Sequence, residues 1–219
     1  MVRPEPLNTE DLIDRLAAGA RPIPEHRPAR RAALCAGLAL VASAIVVWMT
    51  LGPRPDLASV VDEPAFLLRQ VYALSVAGFA GWLMLRLGQP GAPVRGPVIG
   101  LGAVALLVIG LVAWEQAGLG DASRLDSLLG QSWTQCSLRV GAISLVATPF
   151  VFFAARRLAP ARPTMAGLAA GIVAGAVAAS AYGLYCAEIT ATFVATWYSL
   201  GIVTSGLLGG ALGRWVLRW

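Results

Sequence analysis

The sequence predicts an all-α, polytopic membrane protein: a six-transmembrane-helix bundle preceded by a short cytoplasmic amphipathic helix. Three observations carry this reading. First, the 219-residue chain is 57% hydrophobic and 13% charged, so it lacks the polar surface that a soluble domain of this size requires. Second, six apolar runs read as membrane spans. Third, the arginines gather at alternate ends of those runs. They are topology signals there, not a clustered phosphate-binding face, so the formal net charge of +5 does not indicate direct nucleic-acid binding.

Residues 1–31 form the long polar segment, set apart from a membrane domain over 32–219. Leu7-Asn8-Thr9-Glu10-Asp11-Leu12 reads as a helix start. Asn8 can cap free amides, Glu10 and Asp11 favour the positive end of the helix dipole, and Leu7 and Leu12 sit at the staple positions. Leu12, Ile13, Leu16 and Ala17 line one face, with Asp14 and Arg15 off it. The helix should stop near Gly19, and Pro22, Pro24 and Pro28 should make the following stretch an extended linker. A helix of about three turns is marginal alone in water. It is either a frayed tail or a segment that folds onto a cytoplasmic partner.

The spans are expected at about 32–51, 66–87, 97–114, 137–153, 164–185 and 193–212. The first run follows a long charged segment and is long enough to span, so it stays in the chain as the first helix and is not a cleaved leader. Residues 88–95 and 159–163 read as Gly/Pro turns, and 115–136 as a polar connection. Arg86, Arg95, Arg156, Arg157, Arg162, Arg214 and Arg218 fall on one side without an acid in their loops. Asp56, Asp62, Glu63, Glu115, Asp121, Asp126 and Glu188 fall on the other. The bias has one sign at every crossing, so both termini are expected in the cytoplasm. Gly167, Gly171 and Gly175, with Gly206, Gly209, Gly210 and Gly213, have the spacing that lets helix backbones approach closely. They serve packing within one bundle or the face of a homodimer.

Enzyme signals are weak: there is no phosphate-binding glycine loop, no Ser/His/Asp set and no HExxH motif, and His26 has no metal-ligand spacing around it. Neither catalysis nor a cofactor is expected. The chemistry available is thiol chemistry. Cys35 reads as a small packing residue. Cys136 and Cys186 fall at the outer face, one opening the fourth span and one closing the fifth. They can pair as a disulfide, remain as thiols that are oxidised or transiently bind a soft metal, or be unrelated interfacial residues. Arg69, Glu115, Arg139 and Glu188 fall at the same level. Membrane arginines are costly and usually paired, so these four are expected to form an outer-face ion cluster.

Several of these segments together resemble a known family. They are Thr9-Glu10-Asp11-Leu12-Ile13-Asp14-Arg15-Leu16-Ala17, a Pro/Arg linker, six spans, Cys186-Ala187-Glu188 leading into Thr196-Trp197-Tyr198-Ser199-Leu200-Gly201-Ile202, and a closing Gly213-Arg214-Trp215-Val216-Leu217-Arg218-Trp219. The ordered set resembles the NrsF family, membrane-bound negative regulators of an extracytoplasmic-function sigma factor. The family pattern has Cys-Pro-Glu in the last outer loop, where this chain has Ala187. The resemblance implies an anti-sigma factor of the bacterial inner membrane. It would hold its sigma factor away from RNA polymerase until oxidative or heavy-metal stress acts on a periplasmic pair, here Cys136 and Cys186. Partner contact is expected from Leu12, Ile13 and Leu16, flanked by Asp11, Asp14 and Arg15. The competing readings are a small membrane subunit or carrier in a redox or metal-handling process, and a membrane enzyme with an outer thiol pair.

Overall fold

The computed structural model describes residues 8–19, 26–52, 54 and 56–218. The described elements are helical: α1 Thr9–Gly19, α2 His26–Leu51, α3 Leu57–Val60, α4 Pro64–Leu87, α5 Arg95–Ala117, α6 Asp121–Leu129, α7 Trp133–Arg156, α8 Pro163–Tyr182, α9 Ala191–Phe193 and α10 Ser199–Val216. A π-helical turn, Val194–Tyr198, joins α9 to α10 in one continuous span. Six of the helices are long and apolar enough to cross a membrane.

The boundaries follow local chemistry. Helix α2 begins at His26, earlier than the expected Ala32, and takes Pro28 into its first turn. The first amides of a helix have no intrahelical acceptor, so a proline there removes no bond. The expected extended linker is therefore shorter; Pro22 and Pro24 lie outside the described residues. Leu7, one half of the expected staple, also lies outside them. Helix α1 forms over the predicted stretch, and none of its residues is buried. The connection 115–136 is not simply polar coil, because it folds into α6.

Helix α8 is the centre of the bundle. It packs against α10, α7, α4 and α2, and almost every residue from Ala166 to Tyr182 is buried. Helix α5 lies at the periphery, against α4 and the start of the last span. The α8–α10 contact is built from glycine. A Cβ at Gly171 would collide with the carbonyl oxygen of Ser205 and lie 2.9 Å from the Gly209 Cα. One at Gly213 would lie 2.7 Å from the Gly167 Cα. Gly175 meets Ile202 and Ser205 in the same register. The glycine stripe of α8 is thus used inside one chain, and it is not free to form a homodimer face. Polar bonds fasten the bundle further: Ser205 Oγ donates to Ser144 Oγ (2.9 Å), Ser180 Oγ to Gln70 Oε1 (2.6 Å), and Tyr72 and Ser199 share a bond of 2.6 Å. Such interhelical bonds satisfy side chains that lipid cannot.

Backbone atoms face Gly171, so no rotamer change can relieve a clash there. Gly171→Val is expected to destabilise the bundle by about 3 kcal/mol or more. Gly102→Val, on the open side of α5 where an added Cβ meets nothing within 4 Å, is expected to be silent. Thermal unfolding of the two variants in detergent, side by side, checks this.

Candidate functional site

One end of the bundle collects the outer-face residues expected from the sequence. Helix α8 ends at Tyr182, and residues 183–190 lead back to α9. Cys186 lies in this return loop. Cys136 lies in the first turn of α7. Both are free thiols and both are buried, with relative exposures of 2% and 0%. They belong to one apolar cluster with Tyr182, Phe193 and Tyr198, and each lies within electrostatic range of the other. Tyr182 stacks near Tyr198 and Tyr185, with ring centroids 6.0 Å apart in each pair. The Arg139 guanidinium sits over the Tyr185 ring, 5.6 Å from its centroid.

Arg69 organises the loop. Its side chain is 3% exposed and donates to three backbone carbonyls: Gly183 (2.7 Å), Cys186 (3.0 Å) and Glu188 (2.9 Å). A single guanidinium from α4 therefore spans the whole return loop. Its planar fork suits several acceptors at once, and each bond carries the charge assistance of the cation. Arg54 reaches the same Cys186 carbonyl from the opposite flank (3.3 Å) while forming a bidentate pair with Asp56, at 2.6 and 2.8 Å. That pair holds the Asp56 carboxyl below its ordinary range, chiefly through the hydrogen bond from Arg54.

The expected ion cluster does not form. Arg69, Glu115, Arg139 and Glu188 do converge on this end, yet among the described residues no ion pair joins these arginines to these glutamates. The carboxylates instead accept from backbone at helix starts. Glu115 takes the amides of Ala191 (3.1 Å) and Thr192 (2.7 Å) and the Thr192 hydroxyl (2.6 Å). Glu188 takes the Gln131 amide (2.7 Å) and the Ser132 hydroxyl (3.2 Å), just ahead of α7. Unpaired amides at a helix N-terminus are natural carboxylate partners. Gly130 serves this contact: its φ is 54°, and a Cβ there would lie 2.7 Å from Glu188 Oε2. Helix α6 closes over the loop through Trp197 Nε1, which donates to Leu128 O (2.8 Å), and through Gln116, which donates to Ser127 and Thr192.

A polar cleft of about 600 Å³ opens beside the loop; Arg54, Arg139, Tyr182, Tyr185, Cys186 and Glu188 line it. Among the described residues no three His, Cys, Asp or Glu side chains converge as a ligand set. The thiols alone can offer a soft metal two ligands. Sequence reasoning missed Arg54, Tyr182, Tyr185, Tyr198 and the Gln131–Ser132 contact. The readable signal was Tyr182-Gly183-Leu184-Tyr185-Cys186, which places two phenols and a thiol at the end of a span. The residues expected to contact a partner lie apart from this loop. Leu12, Ile13 and Leu16 stand exposed on α1 at 44%, 58% and 67%, and among the described residues they belong to neither apolar core cluster.

A family model described as "Negative regulator of sigma F" (NrsF) matches residues 16–219. The chain belongs to this family. It is 42% identical over 216 residues to the anti-sigma-F factor NrsF of Caulobacter vibrioides (strain NA1000 / CB15N). It is 33% identical over 213 residues to a probable anti-sigma-F factor NrsF of Azospira oryzae (strain ATCC BAA-33 / DSM 13638 / PS). Each alignment covers 97% of this chain and 100% of the relative. The NrsF family model begins within α1, so most of that helix precedes it, whereas the two relatives align across nearly the whole chain. No solved structure matches.

Two outcomes follow from the geometry. Arg69→Leu removes the donor to the Gly183 and Glu188 carbonyls and leaves the Cys186 carbonyl with the longer bond from Arg54, a loss of roughly 1.5–3 kcal/mol per charged bond. Local opening of the loop should therefore rise about tenfold or more. Maleimide labelling of Cys186, in a background with Cys35 and Cys136 replaced by Ala, should accelerate accordingly and should stay slow with Arg69 intact. The Asp56 carboxyl is held low in the folded state, so its contribution is complete above its unfolded pKa and fades as pH falls through the lower folded value. Asp56→Asn should then flatten the pH dependence of the ratio of Cys186 labelling in the folded chain to that in a denatured control, taken at each pH because the thiolate fraction itself falls with acid.

Proposed function

We propose that this chain is an anti-sigma factor that sequesters an extracytoplasmic-function sigma factor at the bacterial inner membrane. The observation that carries the reading is the full-length relationship to proteins named as anti-sigma-F factors. The exposed apolar face of α1, which has no partner in the chain's own core, supports it. The arginine-rich end of the bundle faces the cytoplasm together with both termini, in accord with the positive-inside rule. Leu12, Ile13 and Leu16 of α1 dock on the sigma factor, with Asp11, Asp14 and Arg15 at the rim. Leu12 and Leu16 are four residues apart and Ile13 and Leu16 three, the spacing with which an amphipathic helix lays its apolar face into a groove.

The opposite end is the sensor. Stress acts on Cys136 and Cys186: an oxidant takes two electrons and two protons from the pair as the disulfide forms, or a soft metal ion binds both thiolates. Either event moves the loop whose carbonyls Arg69 holds. The displacement passes into α4 through Arg69, and into α8 and α10 through their glycine contact, to reach the cytoplasmic side across about 30 Å of hydrocarbon. The burial of both thiols gives a threshold, because the loop must open before a reagent arrives.

Burying two leucines is worth roughly 3–6 kcal/mol. Leu12→Asp/Leu16→Asp should therefore weaken capture of the sigma factor at least about a hundredfold while the bundle still inserts. Pull-down from membranes with the extracytoplasmic-function sigma factors of the same cell measures it, and unchanged capture would remove α1 as the docking site. Cys136→Ser/Cys186→Ser should leave capture intact and silence induction by oxidant or cadmium in a sigma-dependent reporter. Full induction in that double variant would sink the thiol sensor.

A further inference from the structure

Helices α2 and α4 both pack on α8 but barely touch each other. Between them, at the arginine-rich end, lies an apolar groove of about 500 Å³, within the size range of small-molecule sites, roughly 300–1,000 Å³. Small residues, among them Ala33 and Gly37 on α2 and Gly78 and Gly81 on α4, open it between larger apolar side chains such as Leu40 and Leu74. These glycines differ in kind from those of α8 and α10. A Cβ at Gly37 or Gly78 would meet nothing within 4 Å, and one at Gly81 only Val173 at 3.9 Å. They do not bring two backbones together; they keep a channel open along the side of the bundle.

The mouth of the groove is cationic. Trp82 lines it, and Arg86 sits over the Trp82 ring, 5.9 Å from its centroid. On α2, Arg30 and Arg31 follow Ala29, the first groove residue of that helix. No acid occurs anywhere in α2 or in the last turn of α4. An apolar groove with a tryptophan at its edge and arginines beside it, on helix segments that carry no acid, complements a phospholipid with an anionic headgroup.

We propose that the α2–α4 groove is a binding site for one anionic phospholipid, with an acyl chain along Gly37, Gly78 and Gly81 and the headgroup phosphate against Arg86 and Arg30. The site is independent of the partner-binding and thiol readings. It also gives the bilayer a direct hold on α2, the helix that follows α1 in the chain. A zwitterionic lipid fills the same apolar space and carries the same phosphate, but its choline cation offsets the attraction to the arginines, so net headgroup charge is the discriminating variable.

The test is native mass spectrometry of the full chain in mild detergent, with equal amounts of dioleoyl-phosphatidylglycerol and dioleoyl-phosphatidylcholine added. One phosphatidylglycerol retained per chain in clear excess over phosphatidylcholine is the expected result. Arg86→Gln should cut that preference about fivefold, the size of one arginine contact with an anionic lipid; adding Arg30→Gln should cut it again. Gly37→Leu/Gly78→Leu fills the channel where the backbone leaves room, and should abolish retention of either lipid while circular dichroism stays unchanged. Equal retention of the two lipids by the unaltered chain overturns the proposal. So does a chain that retains neither, a second copy of the chain in place of lipid, or arginine variants with unaltered preference. If the leucine variant does not fold, the arginine pair decides alone.

Discussion

The contact on which the rest of the bundle depends is the backbone approach of α8 to α10. Helices cannot gain from the hydrophobic effect against each other in lipid, so close packing and polar bonds must hold them. Gly167, Gly171 and Gly175 on one side and Gly209 and Gly213 on the other remove the side chains that would separate the two axes. With α10 so close, α8 is left with room for α7, α4 and α2 around its other faces. It becomes the buried axis of the protein. The short return from Tyr182 to Ala191 is then confined at both ends, which is why an irregular loop can hold Gly183 and Cys186 buried.

That confinement creates a polar requirement. Where the loop turns inward, at Gly183 and Cys186, its backbone carbonyls need a partner that neither water nor helix supplies. Arg69 meets three of them, and Arg54 joins it at the Cys186 carbonyl. The glutamates meet the complementary need, unpaired amides at the starts of α7 and of the last span. Charge is thus paired with backbone dipoles instead of with opposite charge, and each such contact ties one segment to another. The thiols sit within this cross-linked region, between aromatic rings and a loop whose position is set by hydrogen bonds. The π-helical turn at Val194–Tyr198 falls on the same level, and turns of this kind inside helices often mark functional positions.

The two ends of the molecule differ in their economy. At the loop end Arg54, Arg69, Glu115 and Glu188 are engaged within the chain. At the other end Arg86 and Arg214 lie over aromatic rings, the α2–α4 groove is open, and no residue of α1 is buried. One end is built to be self-contained and the other to be completed from outside.

By itself the sequence determined the class and the placement of the spans, because apolar run length and arginine bias are local quantities and the bilayer reads them directly. It also brought Cys136, Cys186, Arg69, Arg139, Glu115 and Glu188 to one level, because topology alone assigns each to an end. The capped helix over Thr9–Gly19 was legible from its first turn and its apolar spacing. What each charge bonds to was not legible. An ion cluster and a set of backbone clamps use the same residues at the same depth, and only the path of the 183–190 loop distinguishes them. The same holds for the glycines. Spacing marks Gly171 as a packing residue, but spacing cannot tell a glycine that admits a neighbouring backbone from one, such as Gly78, that keeps a groove open. That difference is a distance across the bundle, so tertiary structure alone decides it.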